Sequence, residues 1–170
     1  MIPILEVRLE AFDSEDHSQI LRVWLQRPHV TRWWGDPKSA LESSLRFPPD
    51  NCAVIVADEA PVGFLCWQTP PEDELKAAGL TDLPQDLMDI DLLIGEPEFL
   101  GRGLGPRSLG TLLGRLRADP LVSLAGVGTS VSNDRAIRAF KKAGFRLFRK
   151  FQDPEFGPSL YMVKDVRDAA

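Results

Sequence analysis

The chain has 170 residues, 44% of them apolar and 26% charged, which suits one soluble globular domain (1–170) with a sizeable core. A net charge of −5 argues against a nucleic-acid partner, whose affinity would come largely from Lys and Arg contacts to phosphate. No leader or apolar stretch long enough to span a bilayer stands out, so a cytoplasmic protein with no membrane partner is expected.

Ile4 to Leu9 alternates apolar and charged residues, as a half-buried first strand does. Asp13 or Ser14 can cap a helix with Glu15 and Asp16 at its positive end, and Ile20, Leu21, Val23 and Trp24 form its buried face. Pro28 ends that helix. His29 to Gly35 reads as a connector, followed by a helix from about Pro37 to Arg46 that Pro48 and Pro49 stop. Ala53 to Ala57 and Val62 to Thr69 form a hairpin. A short helix from Glu72 to Ala78 follows, closed by Gly79, and then an aliphatic strand, Leu87 to Ile94.

Leu100-Gly101-Arg102-Gly103-Leu104-Gly105 comes next. Pro106 suits the first position of the following helix, where Leu109, Leu112, Leu113 and Leu116 recur at helical spacing. Asp119-Pro120 ends it. Leu121 to Gly128 is a strand, Ser132 caps a helix that stops at Gly144, and Phe145 to Phe151 pairs with Ser159 to Lys164. Strands and helices alternate, with antiparallel hairpins at the ends. The expected fold is therefore α/β, one mixed, mostly antiparallel central sheet flanked by helices. Cys52 and Cys66 read as reduced core thiols. His17 and His29 lie far apart, so no metal is expected.

Glycines between a strand and a helix let backbone approach a ligand, and the amides at the helix start favour an anion. The spacing is neither a Walker loop nor a dinucleotide fingerprint, and a plain turn is the alternative. A second segment decides between these. Ser132-Asn133-Asp134-Arg135-Ala136-Ile137-Arg138-Ala139-Phe140-Lys141-Lys142-Ala143-Gly144-Phe145 resembles the Asn-x-x-Ala-Ile-x-x-Tyr-x-Lys-x-Gly-Phe signature of GCN5-related N-acetyltransferases. Leu100 to Gly105 aligns with that family's Gln/Arg-x-x-Gly-x-Gly/Ala phosphate loop. The resemblance runs from about Asp86 to the chain's end and implies the family's acyl-CoA N-acyltransferase fold.

It also implies acetyl-coenzyme A as co-substrate, with the pyrophosphate on the backbone of Gly101, Arg102, Gly103, Leu104 and Gly105. Leu92, Leu93 and Ile94 would offer backbone to the pantetheine arm, and Asn133 a side-chain hydrogen bond near it. Two residues depart from the family pattern: Leu100 replaces a polar residue, and Pro106 has no amide. Phe140 stands at the cofactor-side position where the family usually has a tyrosine that protonates the departing thiolate, and phenylalanine cannot donate that proton. Tyr161, the only tyrosine, is expected to pack or hydrogen-bond.

Asp91 is the expected catalytic residue. It is a carboxylate in an apolar strand, at a position resembling the aspartate that bacterial aminoglycoside 6'-N-acetyltransferases use to hold or deprotonate the attacking amine. The alternative for Asp91 is a strand residue paired with Lys or Arg. His29-Val30-Thr31-Arg32-Trp33-Trp34-Gly35 resembles the His-Val-x-x-Trp-Trp-Gly stretch of the same enzymes, so Trp33 and Trp34 are candidates for the substrate cleft. Adjacent tryptophans cannot both face the core from a regular helix. Between Glu72 and Glu98 there are nine acids and one lysine, a run that would attract a polycation, and Glu155 is a further candidate carboxylate.

These features imply acetyl transfer to a small cationic amine, above all an aminoglycoside 6'-amine, by direct attack in a ternary complex of a monomer or homodimer. Two alternatives stay open. One is a siderophore-type hydroxylysine N-acyltransferase, whose members often carry His at the position of Asp91. The other is a non-catalytic acyl-coenzyme A sensor.

Overall fold

The computed structural model describes residues 4–168. Seven strands and six helices follow in the order β1 (Val7–Ala11), α1 (Ser14–Leu25), α2 (Pro28–Trp34), α3 (Pro37–Leu45), β2 (Cys52–Ala57), β3 (Ala60–Gln68), α4 (Glu72–Ala78), β4 (Leu87–Ile94), α5 (Leu104–Leu116), β5 (Leu124–Ser130), α6 (Asp134–Lys142), β6 (Arg146–Asp153) and β7 (Gly157–Asp165). The strands form one sheet in the order β1-β2-β3-β4-β5-β7-β6. β1–β2, β2–β3, β5–β7 and β6–β7 pair antiparallel. β4 and β5 pair in parallel, through Leu87–Asp89 against Leu124–Gly126. This is the expected mixed sheet.

Within that sheet the contacts define two compact units. One comprises the described residues up to Cys66 with Leu92–Thr111, the other Trp67–Asp91 with the described residues from Leu112 on. In the first, α1 packs Leu21, Trp24 and Leu25 with Val54, Val56, Phe64 and Leu93. Cys52 and Cys66 face each other across β2 and β3 as buried, reduced cysteines. In the second unit, Leu75 and Ala78 of α4, with Leu80 and Leu83 beyond it, pack on Leu87, Tyr161 and Val163. Three acids in the first turn of α4 and a left-handed Gly79 at its end account for so short a helix.

Several boundaries differ from the sequence reading, each for a local reason. His29 to Trp34 belongs to helix α2 rather than to a connector, with Gly35 as its cap, because Pro28 sits in the first turn, where a missing amide costs no hydrogen bond. Val23 is 41% exposed, and Leu25 takes the buried place instead. β1 begins at Val7, not Ile4, where its register with β2 starts. Leu121 lies outside β5 and is 79% exposed. Its amide donates to the Asp119 carboxylate, which turns the chain before the strand can form. Asn133, not Ser132, caps α6. Phe145 belongs to the helix stop rather than β6, since its amide donates to the Phe140 carbonyl. α5 starts at Leu104, so Pro106 is its third residue, not its first.

Candidate active site

The glycine loop belongs to the first unit, and its approach is held from α1. Glu96, just past β4, accepts from the Trp24 indole at 2.8 Å and from Arg27 at 2.6 Å, and Arg27 also donates to the Gly95 carbonyl at 2.9 Å. The Trp24 and Arg27 bonds keep the Glu96 carboxyl below its usual range although burial opposes them. The His29 ring Nε2–H donates to the Ile94 carbonyl at 2.9 Å. These bonds fix the backbone from which the loop departs.

Gly101 and Gly103 have φ of +72° and +77°, and a Cβ on either would meet nothing within 4 Å. Their glycines are required by backbone conformation, with open space above them. Among the described residues no hydrogen bond uses an amide from Gly101 to Gly105 as donor. These donors stand at the head of a 13-residue helix, whose dipole adds positive potential there. Arg102, exposed, lies 5.0 Å over the Phe99 ring. Free amides, open space and positive potential fit a diphosphate such as that of acetyl-coenzyme A.

The second unit gathers carboxylates. Asp89 and Asp91 are two residues apart on β4, so their side chains leave the same face about 7 Å apart. The Tyr161 hydroxyl of β7 donates to the Asp89 carboxylate at 2.7 Å. Opposite Asp89, β5 carries Gly126, where a Cβ would stand 2.1 Å from the Tyr161 oxygen. Only glycine there lets the tyrosine ring reach across β5.

Burial raises Asp89, and repulsion from Asp91 and Glu74 adds to it; burial and Glu74 likewise raise Asp91. Solvent reaches Asp91, yet enough protein surrounds its carboxylate for lost hydration to dominate. Glu74 on α4 is itself raised by burial and by Asp73. Among the described residues no lysine or arginine forms an ion pair with Glu74, Asp89 or Asp91. The pairing considered for Asp91 is therefore absent there. A carboxylate set without a counterion is chemically suited to an ammonium.

The remaining candidates have diverse placements. Trp34 packs against the core of the first unit. Trp33 is half-buried under the Arg32 guanidinium at 4.7 Å, so the adjacent tryptophans do separate. Leu93 is buried, with Leu92 and Ile94 half-buried beside it. Asn133 is buried; its carbonyl oxygen accepts from the Ala136 amide at 3.3 Å and its amide donates to Thr129 at 3.0 Å. One donor hydrogen remains for a ligand. Phe140 is buried, its ring 6.2 Å from that of Phe145. Glu155 stands exposed in the β6–β7 turn, its amide donating to Asp153, and no hydrogen bond or ion pair among the described residues joins it to the carboxylate cluster.

Sequence reasoning singled out Asp91 but neither Asp89 nor Glu74, and it assigned Tyr161 no partner. A period of two along Leu87–Ile94 was the available signal for Asp89. The approach of Glu74 and Tyr161 depends on tertiary packing.

The chain is similar to known acetyltransferases in sequence and in fold. An aminoglycoside N(6')-acetyltransferase type 1 of Klebsiella pneumoniae is 28% identical over 167 residues, spanning 89% of this chain and 79% of that protein. A crystal structure of the aminoglycoside acetyltransferase AAC(6')-Ib with coenzyme A and kanamycin matches with a TM-score of 0.73 at 27% identity, covering 95% of this chain and 94% of that one. A structure of AAC(6')-Ib with Parmomycin and acetyl-coenzyme A gives 0.74 at 26% identity, covering 99% and 100%. The acetyltransferase (GNAT) domain matches residues 13–153. With most of its length inside that match, the chain belongs to the GNAT acetyltransferases and is an acetyl-coenzyme A-dependent N-acetyltransferase.

Proposed function

We propose that the chain acetylates a primary amine of a small polycationic acceptor, an aminoglycoside 6'-amine, by direct attack within a ternary complex. The observation that carries this is the carboxylate set Glu74, Asp89 and Asp91, which has no lysine or arginine partner among the described residues. Such a set attracts and holds an ammonium. The similar enzyme from Klebsiella pneumoniae is named for the same reaction.

Acetyl-coenzyme A supplies an activated acetyl thioester. In this reading the amides from Gly101 to Gly105 hold its pyrophosphate with Arg102 nearby, the backbone of Leu92, Leu93 and Ile94 holds the pantetheine arm, and the remaining Asn133 donor adds a hydrogen bond. Asp91 orients the acceptor ammonium and takes its proton, directly or through one water, so that the neutral amine can attack. Trp33 flanks the acceptor. Phe140 offers no proton to the departing thiolate. That group leaves without a tyrosine acid, which a thiol with an ordinary pKa near about 8.5 tolerates. Glu155 and Trp34 contribute little, being at a turn and in a core respectively. The protein acts in the cytoplasm, as a single N-acetyltransferase domain.

The test is initial-rate kinetics with acetyl-coenzyme A and kanamycin, polyamines, hydroxylysine and neutral peptide amines, with the product's acetylated nitrogen located by NMR. Acetylation at the 6'-nitrogen with intersecting double-reciprocal lines is the expected result. Preference for a neutral peptide amine refutes the acceptor, and preference for hydroxylysine supports the siderophore alternative.

A further inference from the structure

We propose that Asp89, pinned by the Tyr161 hydroxyl, is a positioning residue for Asp91: it keeps its proton beside the charged acceptor carboxylate and gives it up when a cation binds there. This rests on the reading of Asp91 as the acceptor carboxylate. The geometry has three parts. Asp89 and Asp91 leave one face of β4 about 7 Å apart, Asp89 half-buried and Asp91 exposed, close enough for mutual repulsion. Asp89 is held by the 2.7 Å bond from Tyr161. The space for that ring exists only because Gly126 has no side chain.

The charged surroundings leave the repulsion uncompensated. Asp91 is on the same strand. α4 contributes Glu74, with Asp73 beside it. The β5 neighbour of Asp89 is Gly126, without charge. Arg149 of β6 stands opposite Tyr161 in register but binds the Gly79 carbonyl and Asp82. Asp86 accepts from the Ser123 hydroxyl.

Two adjacent carboxylates in this setting titrate as a pair, and the first to lose its proton makes the second harder to ionise. Burial and repulsion place the more protected member, Asp89, above Asp91. With Asp89 protonated, Asp91 is left charged and free to meet an ammonium. A cation bound at Asp91 removes the repulsion, and Asp89 then ionises at lower pH.

Tyr161 is the chain's only tyrosine, so it reports on Asp89 without assignment. Full-length protein labelled with tyrosine carrying 13C at Cζ is titrated by NMR from pH 5 to pH 10. One inflection above the ordinary carboxylate range is expected in the parent. Asp89→Asn abolishes it, and Asp91→Asn moves it toward acid by about one unit or more. Saturating kanamycin on the parent, which needs no substitution, moves it in the same direction. An inflection that persists in Asp89→Asn, or that Asp91→Asn leaves in place, overturns the proposal. A resonance that responds to Asp91→Asn but not to kanamycin upholds the pair and refutes the aminoglycoside reading instead.

Discussion

The glycine loop at 101–105 and the carboxylate cluster around Asp91 are built by opposite means. In the loop, backbone does the work: two residues in the left-handed region, unpartnered amides and the head of α5. In the cluster, backbone only delivers side chains, from β4, α4 and β7. A backbone site needs particular residues only where conformation demands them, so it reads out in one contiguous stretch. A side-chain site needs particular chemistry at positions far apart in sequence. The two therefore respond differently to substitution, and that difference can be tested.

The largest effect is expected at Asp91. Asp91→Asn keeps size and removes both charge and proton acceptor. Turnover with kanamycin should fall by roughly 10²–10⁴-fold, the usual worth of a general base, while the KM for acetyl-coenzyme A stays within about two-fold. Partial recovery at high pH, where neutral amine is more abundant, is the second half of this test. Near-parental turnover at neutral pH would reduce Asp91 to a strand residue.

Next comes the loop. Gly103→Val meets no neighbour in the protein but forces a β-branched residue to a φ near +77°, a strain of about 1–3 kcal/mol. Acetyl-coenzyme A affinity, measured by calorimetry, should fall by about ten- to a hundred-fold, with acceptor binding retained. Gly110→Ala, also in open space but in the body of α5 without left-handed φ, should leave affinity unchanged and add about 0.5–1 kcal/mol of stability. Equal losses from both would mean that space rather than conformation matters.

Glu96 offers a smaller, purely structural contrast. Its side chain is 21% exposed in the pair with Arg27, and Glu96→Ala would leave that guanidinium and the Trp24 indole N–H without their acceptor. Urea denaturation should show a loss of about 1–3 kcal/mol.

The smallest effects concern pH and salt. Burial pushes Asp91 up to about 6 and, with repulsion from Asp91, Asp89 up to about 8, both above the ordinary carboxylate 3.8. Between those limits the native state binds more protons than the unfolded chain. The contribution of these groups to stability is therefore complete below about pH 4 and disappears as pH rises through 6 and then 8. Asp89→Asn should accordingly raise the melting temperature more at pH 8.5 than at pH 5. Activity should fall below about pH 6 as Asp91 takes up its proton. Raising salt from 50 to 500 mM should increase the KM for kanamycin a few-fold, by screening the acidic field, and change that for acetyl-coenzyme A less if, as proposed, its phosphates meet short backbone contacts.

Much of this molecule was legible before any coordinates. Leu87–Ile94 and Glu72–Ala78 match their observed bounds because aliphatic alternation, a cluster of first-turn acids and a following glycine act within a few residues. The Gly101–Gly105 loop was visible for the same reason: positive φ and a helix start are local demands. The limits of β1, β5 and α6 shifted because single hydrogen bonds, such as Leu121 to Asp119 or Ala136 to Asn133, outweigh propensity by a residue or three. Tertiary structure alone decided that Trp34 rather than Trp33 packs against the core, and that Glu155 stays at a turn. It also decided that Tyr161 crosses over Gly126 to Asp89, 72 residues away in sequence. That bond follows from strand order and from the absence of one Cβ, and no local pattern encodes either.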